Sequence, residues 1–329
     1  MKKVLFKLVL TACAMASLAA IAKTESKADT VVKTEINKGV LGTTEHRADL
    51  IKKYGVNNAI SMGWYTAGVD TSEVREGWNN YTVLSNYLTE KLGRLVVIET
   101  DKSDREISKD ALNSMEIVYT SAVMGTELMK AGWKPVVGRS ESLQGVILVQ
   151  ENSKIDSPAD LKKLEIYGVK GATVTYFVSN SIVKNNIYKV QEISESAKNP
   201  KFKIIDTKQN QLIELLKNKD IDGAIIRETL AKNLIKANPG KYKIAFKADL
   251  APGHMLFVSP SVKEDTINKL RDAFLSLTPD NAQYKKILSG LDAYQELDKT
   301  PFKIVTAADL SPANGILASI GEKPLDGKK

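Results

Sequence analysis

Hydroxyl and aromatic side chains cluster at three places where a predicted strand gives way to a helix. Hydroxyl groups donate hydrogen bonds, and the unpaired backbone N–H groups at a helix start attract negative charge. An arginine beside them can donate two parallel hydrogen bonds to an oxyanion or carboxylate. We therefore predict an anion-binding site. Its candidate residues are Trp64, Tyr65 and Thr66; Tyr119, Thr120 and Ser121; Thr173, Thr175 and Tyr176; and Arg227.

Each candidate has a purely structural alternative. The aromatic group at Trp64 packs equally well under a neighbouring helix, and Ser121 serves equally well as a helix N-cap. The guanidinium of Arg227 has Asp222 and Glu228 beside it in sequence as surface ion-pair partners. His254 follows a Pro-Gly step, and we expect it to be a hinge residue rather than a ligand.

Catalytic, metal-binding and nucleic-acid motifs are missing from the sequence. The two histidines, His46 and His254, have no metal-ligand spacing, and no Walker loop, G-x-S-x-G or G-x-G-x-x-G sequence occurs. Lysines alternate with Asp and Glu, as on a solvated surface, rather than forming a nucleic-acid stripe. We expect no catalytic residue, no metal, no cofactor and no nucleic-acid partner. A pair of carboxylates brought together by folding leaves no mark in one sequence, so an enzyme stays an alternative.

The first 22 residues are typical of an export signal. Three lysines precede an uncharged run from Leu8 to Ala22, and Ala20-Ile21-Ala22 forms a small-x-small cleavage pattern. The alternative is a lipoprotein, because Leu10-Thr11-Ala12-Cys13 matches the sequence that precedes a lipidated cysteine. We favour cleavage after Ala22 and a periplasmic location.

The remaining chain is large enough for two packed lobes. The full sequence has 329 residues, of which 43% are hydrophobic and 26% charged, and its formal net charge is +8. Removing residues 1–22, which hold three lysines and no acid, leaves +5 and no cysteine. Disulfides and cysteine nucleophiles are thereby excluded from the mature chain.

Hydrophobic periodicity predicts an alternation of strands and helices. The predicted strands are Asn58–Met62, Leu95–Ile98, Ile117–Tyr119, Pro135–Val137, Gly145–Val149, Glu165–Val169, Lys203–Ile205, Gly223–Ile226, Lys243–Phe246 and Met255–Ser259. The predicted helices are Ala48–Tyr54, Val74–Leu92, Ser103–Leu112, Ala122–Ala131, Phe177–Asn185, Gln209–Asn218, Glu228–Ala237 and Lys263–Leu277. This order indicates an α/β fold with mostly parallel sheets flanked by helices and joined by crossing strands. Ligands of such sheets bind at the carboxyl ends of strands.

Several stretches resemble one family. Asn86–Gly93 is similar to a helix that ends in L-x-x-x-L-G before an apolar strand. Gln144–Gln150 with Ser153–Leu161 resembles an s-V-i-V-V passage followed by d-S-g-I-x-s-l-a-D-L. Asn218–Ala224 and Pro252–Pro260 are similar to two later passages in the sequence pattern of the same family. The family is that of periplasmic ABC-transporter substrate-binding proteins for phosphate, phosphite and phosphonates, which have the type II two-lobe fold.

The resemblance implies a domain division and a function. Residues 1–22 would be the signal, 23–57 a leader, 58–150 with 251–329 lobe one, and 151–250 lobe two, with crossings near Val149 and Met255. A small anionic ligand would bind between the lobes and pass to an inner-membrane ABC permease. A membrane kinase or chemoreceptor is the alternative partner. We expect a monomer.

Two positions depart from the family pattern. Phosphonate binders carry an S-T-S-G turn at the first helix of lobe two, whereas this chain has Gly171-Ala172-Thr173-Val174-Thr175. The His-Asp pair that the family usually carries before the next helix is replaced here by Gln209-Asn210. The chemical identity of the ligand is therefore left open.

Overall fold

The computed structural model describes residues 44–65, 71–100, 103–193, 201–289 and 301–325. The strands are β1 Ile60–Trp64, β2 Val96–Glu99, β3 Ile117–Thr120, β4 Lys134–Arg139, β5 Leu143–Gln150, β6 Ile166–Val169, β7 Phe202–Ile205, β8 Gly223–Arg227, β9 Tyr242–Ala251, β10 Met255–Val258 and β11 Phe302–Ile304. The α-helices are α1 Thr44–Tyr54, α2 Thr71–Leu92, α3 Asp104–Ser114, α4 Ala122–Lys130, α5 Thr173–Lys184, α6 Val190–Ile193, α7 Gln209–Asn218, α8 Glu228–Ala237, α9 Glu264–Leu275, α10 Ala282–Ser289 and α11 Ile316–Ser319. Short 3₁₀ helices span Pro158–Lys163 and Ala307–Ala313.

The strands form two sheets flanked by helices. The first sheet has the order β11-β4-β10-β3-β1-β2, and the second has the order β7-β6-β8-β5-β9. The predicted α/β class with two sheets is confirmed. No helix within the described ranges is both long and apolar enough to cross a membrane.

The prediction of mostly parallel sheets is wrong. Strands β1, β2 and β3 pair in parallel, as do β6, β7 and β8. All pairs that involve β4, β5, β9, β10 or β11 are antiparallel. A strand that returns beside an outgoing one runs in the opposite direction, and buried apolar runs carry no signal of that direction.

The chain changes sheet earlier than predicted. The sequence places Gly145–Val149 in lobe one, but β5 pairs with β8 and β9 of the second sheet. The outgoing crossing therefore lies between Arg139 and Leu143 rather than near Val149, because an apolar run fits either sheet equally well. The return lies between Ala251 and Met255.

Local sequence explains the helix starts that surround the two sheets. Ser103 caps α3, since its side chain accepts a hydrogen bond from the Glu106 N–H while the Glu106 carboxylate accepts one from the Ser103 N–H. Ser121 caps α4 by accepting a hydrogen bond from the Met124 N–H at 3.2 Å. Ala172 precedes α5 and has no capping side chain.

The C-terminal residues pack across both sheets. Leu310, Ile316 and Leu317 are buried in one cluster with Val123 of α4 and Phe177 of α5. The Ser319 hydroxyl donates to Asn180 of α5 at 2.7 Å. This segment is therefore a third connection between the halves of the molecule, beside the two crossings.

Candidate functional site

The carboxyl ends of parallel strands from the two sheets meet at one place. Tyr65, which follows β1, donates from its hydroxyl to the Gly171 carbonyl at 3.4 Å. Gly171 follows β6 of the second sheet and packs against Ser103, which precedes α3: a Cβ at residue 171 would lie 3.6 Å from the Ser103 Cβ. The ends of β1 and β6 and the start of α3 therefore come together here, with the predicted site residue Tyr65 at the contact.

His254 lies in the returning crossing, between these strand ends. Its side chain is buried, and its Nε2 lies 3.4 Å from the Thr173 hydroxyl at the start of α5. The ring packs near Tyr65 and Tyr119, with centroids 5.4 and 5.7 Å away. Its carbonyl accepts a hydrogen bond from the N–H of Arg139, the last residue of β4 before the outgoing crossing, at 2.9 Å. His254 thus contacts residues of both halves of the molecule, a position that suits a hinge residue and also a ligand contact.

Trp64 and the ring of Tyr119 lie in the core of the first sheet. The two rings stack with centroids 3.8 Å apart, and Phe274 of α9 lies on the other side of Trp64. Trp64 is fully buried, which matches the packing alternative. Its indole N–H has no hydrogen-bond partner among the described residues. Thr66 lies outside the described residues.

Thr120 and Ser121 surround a buried carboxylate. The hydroxyls of both residues donate to Asp104, the first residue of α3, and the Ser121 N–H donates to the same carboxylate at 3.2 Å. Burial raises the pKa of the Asp104 carboxyl to about 6, although the hydrogen bonds from Ser121 and Thr120 oppose that shift. The predicted anion-binding hydroxyls therefore already hold an internal carboxylate.

The start of α5 differs from the capped starts of α3 and α4. The first hydrogen bond of its ladder runs from the Tyr176 N–H to the Ala172 carbonyl at 3.1 Å. The N–H groups of Thr173, Val174 and Thr175 precede that ladder, and no side chain of the described chain caps them. All three residues are buried, so these donors carry partial positive charge in a place shielded from water.

The remaining α5 candidates lie deeper. The Thr175 side chain rests on Gly168 of β6, and its buried hydroxyl has no partner within the part of the chain that the structure describes. Tyr176 belongs to the apolar cluster beside Phe177. Thr173 is the predicted α5 residue whose hydroxyl approaches the returning crossing.

Arg227 ends β8 on the face that carries α5. It pairs in register with Gly145, and directly opposed residues project from the same face of a sheet. A Cβ on Gly145 would lie 2.8 Å from the Val174 carbonyl, so that face is the one covered by α5.

Both proposed surface partners of Arg227 have other contacts. Glu228 pairs with Lys232 and Lys247, and Asp222 accepts from the Glu165 N–H. Arg227 is half-buried and forms no ion pair with any described residue. Its backbone N–H donates to the Gln209 side chain at 3.0 Å.

Asp104 is a buried polar residue of this region that the sequence does not predict. The pattern Ser103-x-x-Glu106 identifies only a helix start. Asp104 nevertheless lies where a strand gives way to a helix, as the predicted site residues do. Nothing local in the sequence shows that Asp104 points toward Thr120, which is 16 positions away.

Two surface cavities of about 200 and 180 Å³ are lined by Arg139, Glu141 and Gly253 in one case and by Arg47, Tyr81 and Thr100 in the other. Neither includes a predicted ligand residue. The described residues contain no group of three or more His, Cys, Asp or Glu side chains placed to hold a metal.

A family model matches residues 71–310, which is more than half of the chain. Its description is that of an ABC transporter, phosphonate, periplasmic substrate-binding protein. This chain belongs to that family. The predicted family and the predicted function as a solute-binding component of an ABC transporter are therefore confirmed. The family consists of transport proteins that bind substrate, and it is periplasmic.

Solved structures share the two-lobe fold. PhnD1 from Prochlorococcus marinus, in complex with methylphosphonate, is 14% identical with a TM-score of 0.64, over 81% of this chain and 99% of that one. The phosphonate-transporter binding protein PA3383 from Pseudomonas aeruginosa is 20% identical with a TM-score of 0.58, over 79% and 86%. XAC2383 from Xanthomonas citri, bound to ATP, is 12% identical with a TM-score of 0.63, over 80% and 98%. No curated protein sequence gives a significant match.

Proposed function

We propose that this family member captures a small oxyanion of the phosphonate or phosphate type between the two sheets and delivers it to an inner-membrane ABC permease. The observation that carries the proposal is the uncapped start of α5, whose first three residues are buried and whose Thr173 hydroxyl lies 3.4 Å from His254 in the returning crossing. Thr173 and Thr175 add hydroxyls, and Arg227 adds a cation on the same face.

Ligand capture requires the sheets to separate and close. We propose that residues 140–142 and 252–254, the two crossings, are the hinge, and that the sheets define the moving lobes. The direct contacts Tyr65–Gly171 and Thr173–His254 would then break on opening and expose the α5 start. The mechanism is binding and closure, with no chemistry on the ligand.

The remaining proposals concern export and partners. We propose that residues 1–22 are removed on export, that the mature protein is a monomer, and that its partner is a permease rather than a membrane sensor, because the family is one of ABC transporters. Mass spectrometry of the exported protein tests whether residues 1–22 are removed. A chain that begins at Lys23 supports cleavage, and a lipid on Cys13 contradicts it.

Calorimetry with the mature chain tests the ligand class. The probes are methylphosphonate, inorganic phosphate, methanesulfonate and acetate. Saturation at about 100 times Kd adds roughly 2.7 kcal/mol to the free energy of unfolding, which a thermal melt detects independently. Failure of all four probes would contradict the proposal.

A cap introduced at α5 tests the site itself. In Ala172→Asp, the new carboxylate occupies the free N–H groups, so probe binding should be lost while helix capping contributes about 0.5–2 kcal/mol of stability. Ala172→Ser is the smaller version of the same change. The matched control is Lys263→Asp, which adds the same cap to α9, another helix start without a side-chain cap, far from the junction. Unchanged affinity in Ala172→Asp would contradict the assignment.

A further inference from the structure

Asp104 is a buried carboxylate that forms no ion pair with any residue the structure describes. Its side chain is fully shielded from solvent, and its hydrogen bonds come from the Thr120 hydroxyl, the Ser121 hydroxyl and the Ser121 N–H. Ionised carboxylates in protein interiors are normally paired with a positive charge. Asp104 instead occupies the start of α4 in the way that a bound oxyanion would.

The hydroxyl protons around Asp104 are fully used. A hydroxyl has a single proton to donate, and both Thr120 and Ser121 donate theirs to the carboxylate. The contact between Thr120 and Ser108 at 2.8 Å must therefore be donated by Ser108. Ser121 accepts its second bond from the Met124 N–H. Thr120 and Ser121 therefore have no hydroxyl proton left to donate to an external oxyanion. Their hydroxyl oxygens can only accept hydrogen bonds.

Within the described ranges, the charged groups near Asp104 have other contacts. On α3 itself, Arg105 donates to the carbonyls of Lys323 and Pro324, and Glu106 is bound to Ser103. The titratable groups on the facing segments are Tyr65, whose hydroxyl bonds Gly171, His254, which faces Thr173, and the exposed Lys170. Among the described residues, the partners of the Asp104 carboxylate are Thr120 and Ser121.

We propose that Asp104 is a specificity-determining residue of the cleft, whose ionised carboxylate turns the Thr120–Ser121 wall into a surface that accepts hydrogen bonds and rejects an oxyanion. This inference rests on the proposed function, because it concerns the same cleft. The charged head of a ligand is then held by α5 and Arg227. The group that the ligand turns toward α4 is neutral or donates a hydrogen bond.

Proton uptake by Asp104 reverses the polarity of the wall. Burial raises the pKa of this carboxyl to about 6, so below that pH it carries a proton. The protonated carboxyl donates to one of the two hydroxyl oxygens, and that hydroxyl becomes free to donate to a ligand. Oxyanion affinity is therefore higher below pH 6 than above it.

The test compares methylphosphonate binding by the wild-type mature chain and Asp104→Asn at pH 5 and pH 7.5, by calorimetry. The asparagine amide donates to a hydroxyl permanently and carries no charge. We expect Asp104→Asn to bind at least about tenfold more tightly than wild type at pH 7.5 and within about threefold at pH 5. Both proteins bind the same ligand at each pH. The ratio of the wild-type and Asp104→Asn affinities is therefore independent of any change in the charge of the ligand. Asp265→Asn, an exposed surface change of equal charge on α9, should match wild type at both pH values.

The outcomes separate this inference from the proposed function. Equal affinities of wild type and Asp104→Asn at both pH values overturn the role of Asp104 and leave the proposed function standing. Binding by Asp104→Asn alone supports the role of Asp104 and contradicts a phosphonate ligand for the natural chain. Loss of binding in both proteins at both pH values overturns both.

If Asp104→Asn does not fold, a measurement on wild type alone still tests the inference. Methanesulfonate keeps one charge across this range, so its affinity should fall on the order of tenfold from pH 5 to pH 7.5. A flat profile overturns the inference.

Discussion

Asp104 affects stability as well as recognition. The pKa of its carboxyl is raised from 3.8 to about 6 in the folded chain, so the folded state binds more protons than the unfolded state between these values. Stability from this group is present at low pH and is lost as pH rises to about 6. Each pKa unit corresponds to about 1.4 kcal/mol.

We predict that Asp104→Asn removes this pH dependence. Between pH 4 and pH 7.5, wild type should lose on the order of 2–3 kcal/mol of unfolding free energy relative to Asp104→Asn. Urea unfolding at both pH values measures the difference. Parallel pH profiles for the two proteins would show that Asp104 titrates normally.

Trp64 illustrates how a residue that suits a binding site can belong to the core. We predict that Trp64→Phe, which keeps the stacking on Tyr119 and removes an unpaired N–H, binds methylphosphonate within about twofold of wild type. Trp64→Ala should cost about 3–5 kcal/mol of unfolding free energy, because it leaves a cavity between Tyr119 and Phe274. Calorimetry and urea unfolding measure the two effects. A tenfold affinity loss in a stable Trp64→Phe would restore Trp64 to the site.

At the scale of elements, glycines set how closely α5 approaches the second sheet. A Cβ on Gly168 would lie 2.7 Å from the Thr175 Cγ2, and a Cβ on Gly145 would lie 2.8 Å from the Val174 carbonyl. Both distances are too short for ordinary contacts. The start of α5 can therefore sit over β5, β6 and β8, beside Arg227, only because these strand positions lack side chains.

We predict that Gly168→Ala displaces α5, lowers the unfolding free energy by about 1–3 kcal/mol and weakens methylphosphonate binding. Adding Thr175→Ser removes the methyl group that the new Cβ would strike, so the double variant should recover most of the stability. Urea unfolding of both variants checks this. Equal losses in the single and double variants would show that the strain lies elsewhere.

At the scale of the whole molecule, the C-terminal residues join the two sheets a third time. Leu317 is buried in the cluster that contains residues of α4 and α5, and Ser319 bonds Asn180. A segment that contacts both sheets restrains their separation. If the sheets separate as proposed, we expect the balance between open and closed forms to depend on this segment as well as on the ligand.

Leu317→Ala should lower the unfolding free energy by about 2–5 kcal/mol, because it empties a buried site between the sheets. In a variant that still folds, small-angle scattering should show a larger radius of gyration without ligand and a return to the wild-type value with saturating methylphosphonate. The exposed Leu275→Ala on α9 is the control, with an expected change below about 1 kcal/mol. An unchanged radius in Leu317→Ala would mean that the crossings alone set the separation.

The sequence determined the elements and the fold class. The helices Gln209–Asn218 and Glu228–Ala237 have the predicted bounds, and most other predicted elements overlap those observed. These features depend on neighbouring residues: hydrophobic period, caps and turns are local properties of the chain. The family resemblance depends on the same kind of local pattern.

Only the tertiary structure decided strand direction, the sheet to which β5 belongs, and the partners of the site residues. The sequence predicts Thr120 and Ser121 as donors to a ligand, whereas their hydroxyl protons go to Asp104. A carboxylate and a hydroxyl far apart in the chain meet only when α3 and β3 pack together. The polarity of this part of the cleft is therefore a property of packing, because a hydroxyl donates or accepts according to the group placed beside it.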